Sequence, residues 1–327
     1  MDLSRQERRA LRSLLDHLDA GNHEEGERWE GGRVTRIGGG WNNLLYRVTS
    51  CSGDLAVKFC ILDERDRAGR EYQALLALRQ AGLNVAPEPL LLERERYTHP
   101  VVVQTWLTGE VSNTPPTTAG EWDKLVQHMA MVHSVTPDRT SLRLRRAVVD
   151  ARSVDQGRRI VGQEVTRLPA EVQTTSLQKL LRRFEAAEFP AWPPGEVALC
   201  RCDNNVSNFV RRPDSWASVD WENGGWGDPA FDIAQLMTHP AYTDVPPERW
   251  VWLAKAYSRM VDDATVSRRI WAYHRILAVW WVARTARYLF ESPRGLDERL
   301  ANPAEAWEKE VKANYDHYVS LAENLYA

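Results

Sequence analysis

Residues 200–220, with the sequence CRCDNNVSNFVRRPDSWASVD, decide how the rest of this 327-residue chain is interpreted. An apolar run ends at Cys200 and leads into a polar loop that carries Asp203 and Asn208. The pattern predicts a short β-hairpin after the loop, with its turn over 212–215 and its second strand ending at Asp220. The hairpin would bring two carboxylates and one amide to neighbouring strand ends.

This set of side chains suits the transfer of a phosphoryl group. Asp203 could orient an attacking hydroxyl and accept its proton, while Asn208 and Asp220 could hold Mg²⁺ on a nucleoside triphosphate. The alternative is a polar hairpin in which Asp and Asn serve only the turns, as they often do. The rest of the chain has to decide between the two interpretations.

The composition limits the class of protein. With 43% hydrophobic residues, the chain can bury a large core and is expected to form two lobes. The net charge of −3, with acids and bases interspersed, argues against a nucleic-acid partner. The longest unbroken apolar run, 276–283, is too short to span a membrane, and no signal peptide is evident. We therefore expect a cytoplasmic protein whose four cysteines are reduced.

A glycine cluster lies between two short β-like segments near the N-terminus. A helix is predicted over 3–19, and strands over 34–37 and 44–48. The residues between the two strands can approach a phosphate with their backbone N–H groups, because glycine leaves the backbone open. An ordinary turn would explain the same pattern. The candidate nucleotide-binding residues here are Gly39, Gly40, Asn42 and Asn43.

The next strand, 54–59, carries Lys58 on the face opposite its apolar neighbours. A helix follows and ends near Gly82, with Glu71 in its first half. A lysine on a strand and a glutamate on the following helix can form an ion pair that positions the α- and β-phosphates of a nucleotide. Taken singly, each of these residues is more often solvated surface.

Two further strands, 90–92 and 101–104, would complete a five-stranded sheet. The β signal then weakens, and we place a hinge at 104–109, where Gln104 and Trp106 are candidate nucleotide contacts. The predicted lobes are residues 1–107 and residues 108–327.

Helical signals dominate the second lobe. Thr118 and Glu121 form a capping box, and charged helices are predicted over 143–190. The segment Gly227-Asp228-Pro229 predicts a helix with Asp228 at its N-cap. Further helices are predicted from Pro247, over the aromatic segment 266–290, and from 302–303. His133 falls on an apolar helix face and is interpreted as a core histidine.

The order of these features resembles the aminoglycoside phosphotransferase/choline kinase family, small-molecule kinases with a protein-kinase-like fold. The resemblance runs from about Val34 to the end of the chain and rests on four motifs that the sequence contains in order. They are Gly39-Gly40-Trp41-Asn42-Asn43, Asp203 with Asn208, Val219-Asp220-Trp221-Glu222, and Gly227-Asp228-Pro229-Ala230-Phe231-Asp232-Ile233-Ala234.

The resemblance implies an α+β bilobal fold, with an antiparallel β-sheet N-lobe and a mainly helical C-lobe. It implies that ATP or another nucleoside triphosphate, with Mg²⁺, phosphorylates a hydroxyl of an aminoglycoside-like antibiotic or related metabolite. It also implies that Asp232 braces the catalytic loop. The family usually has His and Gly before the catalytic Asp, where this chain has Arg201 and Cys202. We expect Arg201 to replace the His as a scaffold, or to contact phosphate as a fixed cation.

Three alternatives stay open at this point. The aromatic residues of 271–290 could form a cage for a choline-like amine, which would suit a choline, ethanolamine or thiamine-type kinase, although core packing explains them as well. Arg201 could instead mark a nucleotide-binding pseudokinase. A helical scaffold without nucleotide is the third alternative. The chain could be a monomer or a homodimer.

Overall fold

The computed structural model describes residues 5–21, 28–29, 32–38, 43–49, 53–193, 195–296 and 307–327. Three of the candidate nucleotide-binding residues, Gly39, Gly40 and Asn42, lie outside these ranges. The predicted start of the last helix at 302–303 lies outside them too.

The N-terminal part is an antiparallel sheet in the strand order β1-β2-β3-β4-β6-β5. The five predicted strands are all present, and the sheet has one more strand than predicted. The added strand, β1, has two residues, too few to show an alternating pattern in the sequence. The strands are β1 Arg28–Trp29, β2 Gly32–Ile37, β3 Asn43–Thr49, β4 Leu55–Cys60, β5 Pro89–Glu93 and β6 Val101–Thr105.

The two faces of this sheet pack against different helices. Helix α1, Arg5–Asp19, buries Leu11, Leu14, Leu15 and Leu18 against one face. Val57 and Phe59 of β4 belong to that apolar cluster. Helix α2, Arg67–Gln80, packs on the opposite side and contacts β4, β5 and β6. Lys58 therefore faces α2, as the alternation along β4 predicted.

A small second sheet connects the end of the first to the hairpin. β7, Glu110–Val111, pairs with β9, Phe209–Arg211, which in turn pairs with β10, Ala217–Ser218. The predicted hairpin is thus present. A third sheet pairs β8, Ala198–Cys200, with β11, Gly225–Gly227, on the other side of the polar loop. Strands therefore hold the loop at both ends.

Helices make up most of the C-terminal part. The capping box of Thr118 and Glu121 and the N-cap Asp228 are present as predicted. The core of this part includes side chains of all of these helices. They are α3 Ala119–His133, α4 Val154–Thr166, α5 Thr175–Ala186, α6 Pro229–Thr238, α7 Pro247–Ser258, α8 Val266–Glu291 and α9 Trp307–Leu325.

The prediction of helices from residue 143 was wrong at its start. Residues 143–153 are not helical, and Arg146 forms a β-bridge with Trp226. The backbone N–H of Asp228 donates to the Asp150 carboxylate at 2.8 Å. These tertiary contacts outweigh the local helix propensity of the charged sequence. No helix in the described ranges is long and apolar enough to cross a membrane.

Candidate active site

A buried ion pair joins the sheet to helix α2. Nζ of Lys58 on β4 donates to Oε2 of Glu71 at 2.6 Å. Glu71 is fully buried and Lys58 is 5% exposed. Burial lowers the pKa of Lys58, but the carboxylates of Asp220, Glu71 and Glu222 outweigh that effect and raise it well above its ordinary value. Lys58 is therefore a permanent cation, and the predicted lysine–glutamate pair is present.

The same ammonium group reaches across to the second part of the molecule. Nζ of Lys58 lies 2.5 Å from Oδ1 of Asp220, which follows β10. Asp220 has a φ of 61°, a left-handed conformation that costs free energy for a residue other than glycine. Such strained residues often lie at functional sites, held by the structure around them. The Asp220 side chain keeps 31% of its surface exposed, so a ligand can reach it.

Glu222 is a member of this cluster to which the sequence analysis gave no role. It lies 3.4 Å from Lys58, forms an ion pair with Arg67 and accepts a hydrogen bond of 2.6 Å from Nδ2 of Asn43. Lys58 and Arg67 keep the pKa of Glu222 below its ordinary value despite burial. Its only sequence signal was its place in the Val219-Asp220-Trp221-Glu222 motif. Asn43, a predicted nucleotide contact, is joined to Glu222.

Asp203 lies in the loop between β8 and β9. Its Oδ1 accepts a hydrogen bond from the backbone N–H of Asn205 at 3.2 Å. Burial raises the pKa of Asp203, and nearby Arg201 opposes this rise. A raised pKa makes a carboxylate a better proton acceptor as long as it remains ionised.

His239 is a neighbour of Asp203 that the sequence did not single out. Its Nε2 is 3.7 Å from Oδ1 of Asp203. Its Nδ1 accepts from the backbone N–H of Ala241 at 3.1 Å, which places the proton of the neutral ring on Nε2, facing Asp203. Burial lowers the pKa of His239 to about 4, so the ring is neutral at pH 7. No motif contains this residue.

Asp232 of α6 holds the loop in place, as the resemblance implied. Its carboxylate accepts hydrogen bonds from the backbone N–H groups of Arg201 and Cys202, at 2.9 and 3.1 Å. It also accepts from Nδ2 of Asn204 and contacts His133. His133 hydrogen-bonds to Tyr257 on its other side, so the interpretation as a core histidine is confirmed.

Arg201 lies underneath the loop and is fully buried. Its guanidinium donates to the backbone carbonyls of Asp203 and Val219, at 3.2 and 2.9 Å. The group also lies over the ring of Trp221, at 4.5 Å from the ring centroid. Burial lowers the pKa of Arg201, although nearby carboxylates oppose the shift. These are the carbonyl contacts that we expected of a scaffold.

Three predicted site residues remain: Asn208, Gln104 and Trp106. Asn208 is next to Asp220 in the hairpin, since its carbonyl accepts the N–H of Val219 at 2.9 Å. Gln104 is buried in β6, and its Oε1 has no hydrogen-bond partner among the described residues. Trp106 follows β6, and Arg47 lies 4.8 Å from its ring centroid. The roles of all three stay predictions.

The charges of the cluster fit a divalent cation. Burial raises the pKa of Asp220, and the carboxylates of Glu222 and Asp203 raise it further against the opposing effect of Lys58. This excess of negative charge is what a bound cation would relieve. The donors are carboxylate and amide oxygens, which Mg²⁺ prefers. Asp220 and Asn208 would hold the ion, which would neutralise negative charge on the phosphates.

The model of the phosphotransferase enzyme family matches residues 33–276 of this chain, a range that includes every one of these charged side chains. The chain belongs to the phosphotransferase enzyme family. Among curated protein sequences, none matches it.

Solved structures similar to this member of the family carry names that refer to quite different acceptors. A choline/ethanolamine kinase family protein from Mesorhizobium loti has 18% identity and a TM-score of 0.61, with 95% of this chain and 94% of that one covered. Spectinomycin phosphotransferase in complex with ADP and spectinomycin has 13% identity and a TM-score of 0.61, with coverage of 95% and 97%. A macrolide 2'-phosphotransferase from Brachybacterium faecium has 18% identity and a TM-score of 0.54, with coverage of 94% and 97%. At these identities the likeness shows the fold alone: the predicted α+β, protein-kinase-like architecture is confirmed.

Cys202 is one of the two residues at which this chain departs from the usual family motif. This residue has a φ of 60°, where glycine is favoured, and it stands at the position the family usually gives to glycine. The Cys202 thiol contacts the carbonyl of Val149 at 3.1 Å. A side chain is thus accommodated in the strained position and packs against the irregular segment before α4.

Proposed function

We propose that this protein transfers the γ-phosphoryl group of ATP to a hydroxyl of a small molecule. One observation carries the proposal: Lys58 contacts both Glu71 and Asp220, which joins the sheet, helix α2 and the hairpin at one point. A lysine–glutamate ion pair with an aspartate beside it that can hold Mg²⁺ is the arrangement on which phosphoryl transfer in protein kinases depends. The division into lobes at 107/108 and the cytoplasmic location remain part of the same proposal.

In the proposed reaction the acceptor oxygen attacks the γ-phosphorus. The new O–P bond forms as the bond to the β–γ bridging oxygen breaks, and ADP leaves. Asp203 orients the hydroxyl and takes its proton, and the raised pKa of Asp203 supports that role. Lys58 turns from Asp220 toward the α- and β-phosphates while Glu71 keeps it in place. Catalysis is mainly positioning and electrostatic stabilisation.

Arg201 acts in this proposal as a positioning residue. It holds the carbonyls of Asp203 and Val219, one in the loop and one beside Asp220. It therefore fixes the spacing between the proton acceptor and the proposed metal ligand. Because the charged cluster is complete without a histidine, we favour an active kinase over the pseudokinase alternative.

A transfer assay tests the proposal. The protein is incubated with Mg-ATP and single acceptors from a panel of aminoglycosides, macrolides, choline, ethanolamine, thiamine, homoserine, sugars and hydroxy acids, and ADP release is followed. We expect acceptor-dependent ADP release with at least one member. Binding of Mg-ATP without transfer to any of them would support a pseudokinase, and no binding of Mg-ATP would contradict both.

A further inference from the structure

A large cavity opens on one side of Asp203. Its volume is about 980 Å³, and its described lining includes Asp203 and His239 but not Lys58, Asn208 or Asp220. It therefore borders the catalytic loop without including the proposed nucleotide and metal contacts, and it meets the charged cluster around Lys58 at Arg67. A cavity of this size suits a whole small molecule.

Seven arginines and four carboxylates line the described part of this cavity. Some of the arginines already have partners. Arg67 pairs with Glu222, Arg146 with Asp150, and Arg284 lies 3.9 Å from Glu164. Arg167 also lies near Glu164, at 3.7 Å, which leaves Arg65, Arg70 and Arg145.

Two arginines at the edge of the cavity, Arg70 and Arg145, are held by backbone carbonyls, one of them the carbonyl of Arg65. Arg70 donates to the carbonyls of Arg65 and Arg146, both at 2.7 Å, and Arg145 donates to the carbonyl of Arg65 at 3.2 Å. Within the described ranges, Arg70 and Arg145 form no ion pair with a carboxylate, and Arg65 has a loose one of 3.8 Å with Asp63. We call Arg65, Arg70 and Arg145 the arginine cluster.

Arg65 and Arg70 each lie close to other positive charges. Burial and the charge of Arg145 lower the pKa of Arg70, and burial and the charges of Arg67 and Arg284 lower that of Arg65. Like charges held close together are destabilising unless an anion shares them. The planar guanidinium groups suit a carboxylate or a phosphate, which can accept two hydrogen bonds at once.

Apart from the arginines, the wall combines polar and acidic side chains with an apolar, aromatic part. Trp280, Trp281 and Leu277 of α8 line the cavity. Trp281 stacks on Tyr318 of α9, with 5.4 Å between ring centroids and 11° between ring planes, so its orientation is fixed. A ligand in the cavity could contact the apolar surface of α8, the arginine cluster and Asp203.

We propose that the acceptor is an anion: a hydroxylated molecule with a carboxylate or phosphate group that binds the arginine cluster and an apolar portion that contacts α8. This inference rests on the proposed function and departs from the aminoglycoside-like acceptor that the resemblance implied. A polyamine would need carboxylates where this wall has arginines. A choline-like amine would meet the same repulsion.

Calorimetric titration with four matched probes tests the charge of the acceptor. All share a benzene ring with one hydroxymethyl group; the opposite substituent is a carboxylate, a phosphate, a hydroxymethyl or an aminomethyl group. With Mg-ADP present, we expect the carboxylate or the phosphate to bind at least about tenfold more tightly than the amine, as charge-assisted hydrogen bonds to guanidinium imply. The carboxylate and phosphate arms identify the anion. Equal affinities, absent binding of all four, or tighter binding of the amine would overturn the proposal.

A charge-reversal pair localises the effect. Arg145→Glu should weaken the preferred anion at least about tenfold, since it places a like charge at the site. Arg143→Glu is the control, because Arg143 is exposed, two residues away and not part of the cavity wall. An equal loss in both variants would contradict the assignment. Titration of Mg-ADP alone tests the proposed function separately: if Mg-ADP fails to bind while the anion preference holds, the kinase proposal fails and the anion site stands.

Discussion

In the cluster around Lys58, charged side chains are paired with one another; in the cavity beside Asp203, two arginines are held by backbone carbonyls. Lys58 contacts the carboxylates of Glu71, Asp220 and Glu222. Glu222 in turn forms an ion pair with Arg67. Arg70 and Arg145 contact carbonyl oxygens instead. Neutral acceptors satisfy the hydrogen bonds of a guanidinium group without neutralising its charge.

The difference indicates that the two regions would bind ligands of opposite charge. On the nucleotide side the charged side chains already form close ion pairs before any ligand arrives, and the excess negative charge suits a cation. On the acceptor side Arg70 and Arg145 are held in position but have no ion-pair partner within the described ranges, so an anionic ligand would supply one. Asp203 lies between the two sides, where an acceptor hydroxyl has to meet the γ-phosphate.

The largest effect is expected at Asp220. Asp220→Asn removes the carboxylate that would hold Mg²⁺, and turnover should fall about 10³-fold or more because phosphoryl transfer depends on neutralising the developing charge. Nucleotide affinity should fall much less. Steady-state kinetics over a range of Mg²⁺ concentrations measures both quantities. Unchanged turnover would remove Asp220 from the metal site.

A smaller loss is expected when the proton acceptor is removed. Asp203→Asn should lower kcat by about 10²-fold, the low end for a general base because the transition state is loose, and leave the affinity for ATP nearly intact. Asp214→Asn, in the exposed turn of the same hairpin, is the matched control and should retain full activity. A large loss of ATP affinity with an unchanged kcat would instead assign Asp203 to nucleotide binding.

Arg201 should affect stability more than chemistry. We expect Arg201→His to keep one of the two carbonyl hydrogen bonds. The loss of one hydrogen bond corresponds to about a tenfold change in rate, so kcat should stay within about tenfold of wild type. Arg201→Ala leaves both carbonyls without their donor and should lower the free energy of unfolding by about 2–5 kcal/mol. Chemical denaturation and kinetics of both variants test this. Complete inactivity of a stable His variant would contradict the positioning role.

The smallest effect concerns pH. The folded-state pKa of His239 is about 4, below the ordinary value of about 6.5, so between these values the unfolded chain binds the extra proton. The contribution of His239 is therefore constant above pH 6.5, and stability is lost as pH falls from 6.5 to 4. Relative to His239→Asn, the wild type should lose up to about 1.4 kcal/mol per pH unit in that window. The free energy of unfolding of both proteins is measured by denaturation between pH 4 and 6.5. The same pH dependence in the two proteins would show that the fold does not lower the pKa of His239.

The features that the sequence predicted well are local or carried by motifs. The strand alternation around Lys58, the capping box at Thr118 and the N-cap at Asp228 depend on neighbouring residues, and the structure contains all three. Asp232 and Arg201 were predicted through their places in motifs.

The features that the sequence analysis missed depend on contacts between distant segments. His239 meets Asp203 across 36 positions, and the arginine cluster joins the start of α2 to the irregular segment before α4. In the sequence these arginines lie among other charged residues and are indistinguishable from a solvated face. Only the fold shows that these arginines line one cavity and that Arg70 and Arg145 have no carboxylate partner among the described residues.

The most direct test of the division between the two sides is nucleotide binding by two variants. Mg-AMP-PNP is titrated calorimetrically into wild type, Lys58→Met and Arg145→Glu. We predict at least about tenfold weaker binding for Lys58→Met, since a charge-assisted contact to the phosphates is lost, and less than about twofold change for Arg145→Glu, which lies across the catalytic loop. Unchanged binding in Lys58→Met, or the larger loss in Arg145→Glu, would contradict the placement of the nucleotide beside Lys58 and of the acceptor beside the arginine cluster.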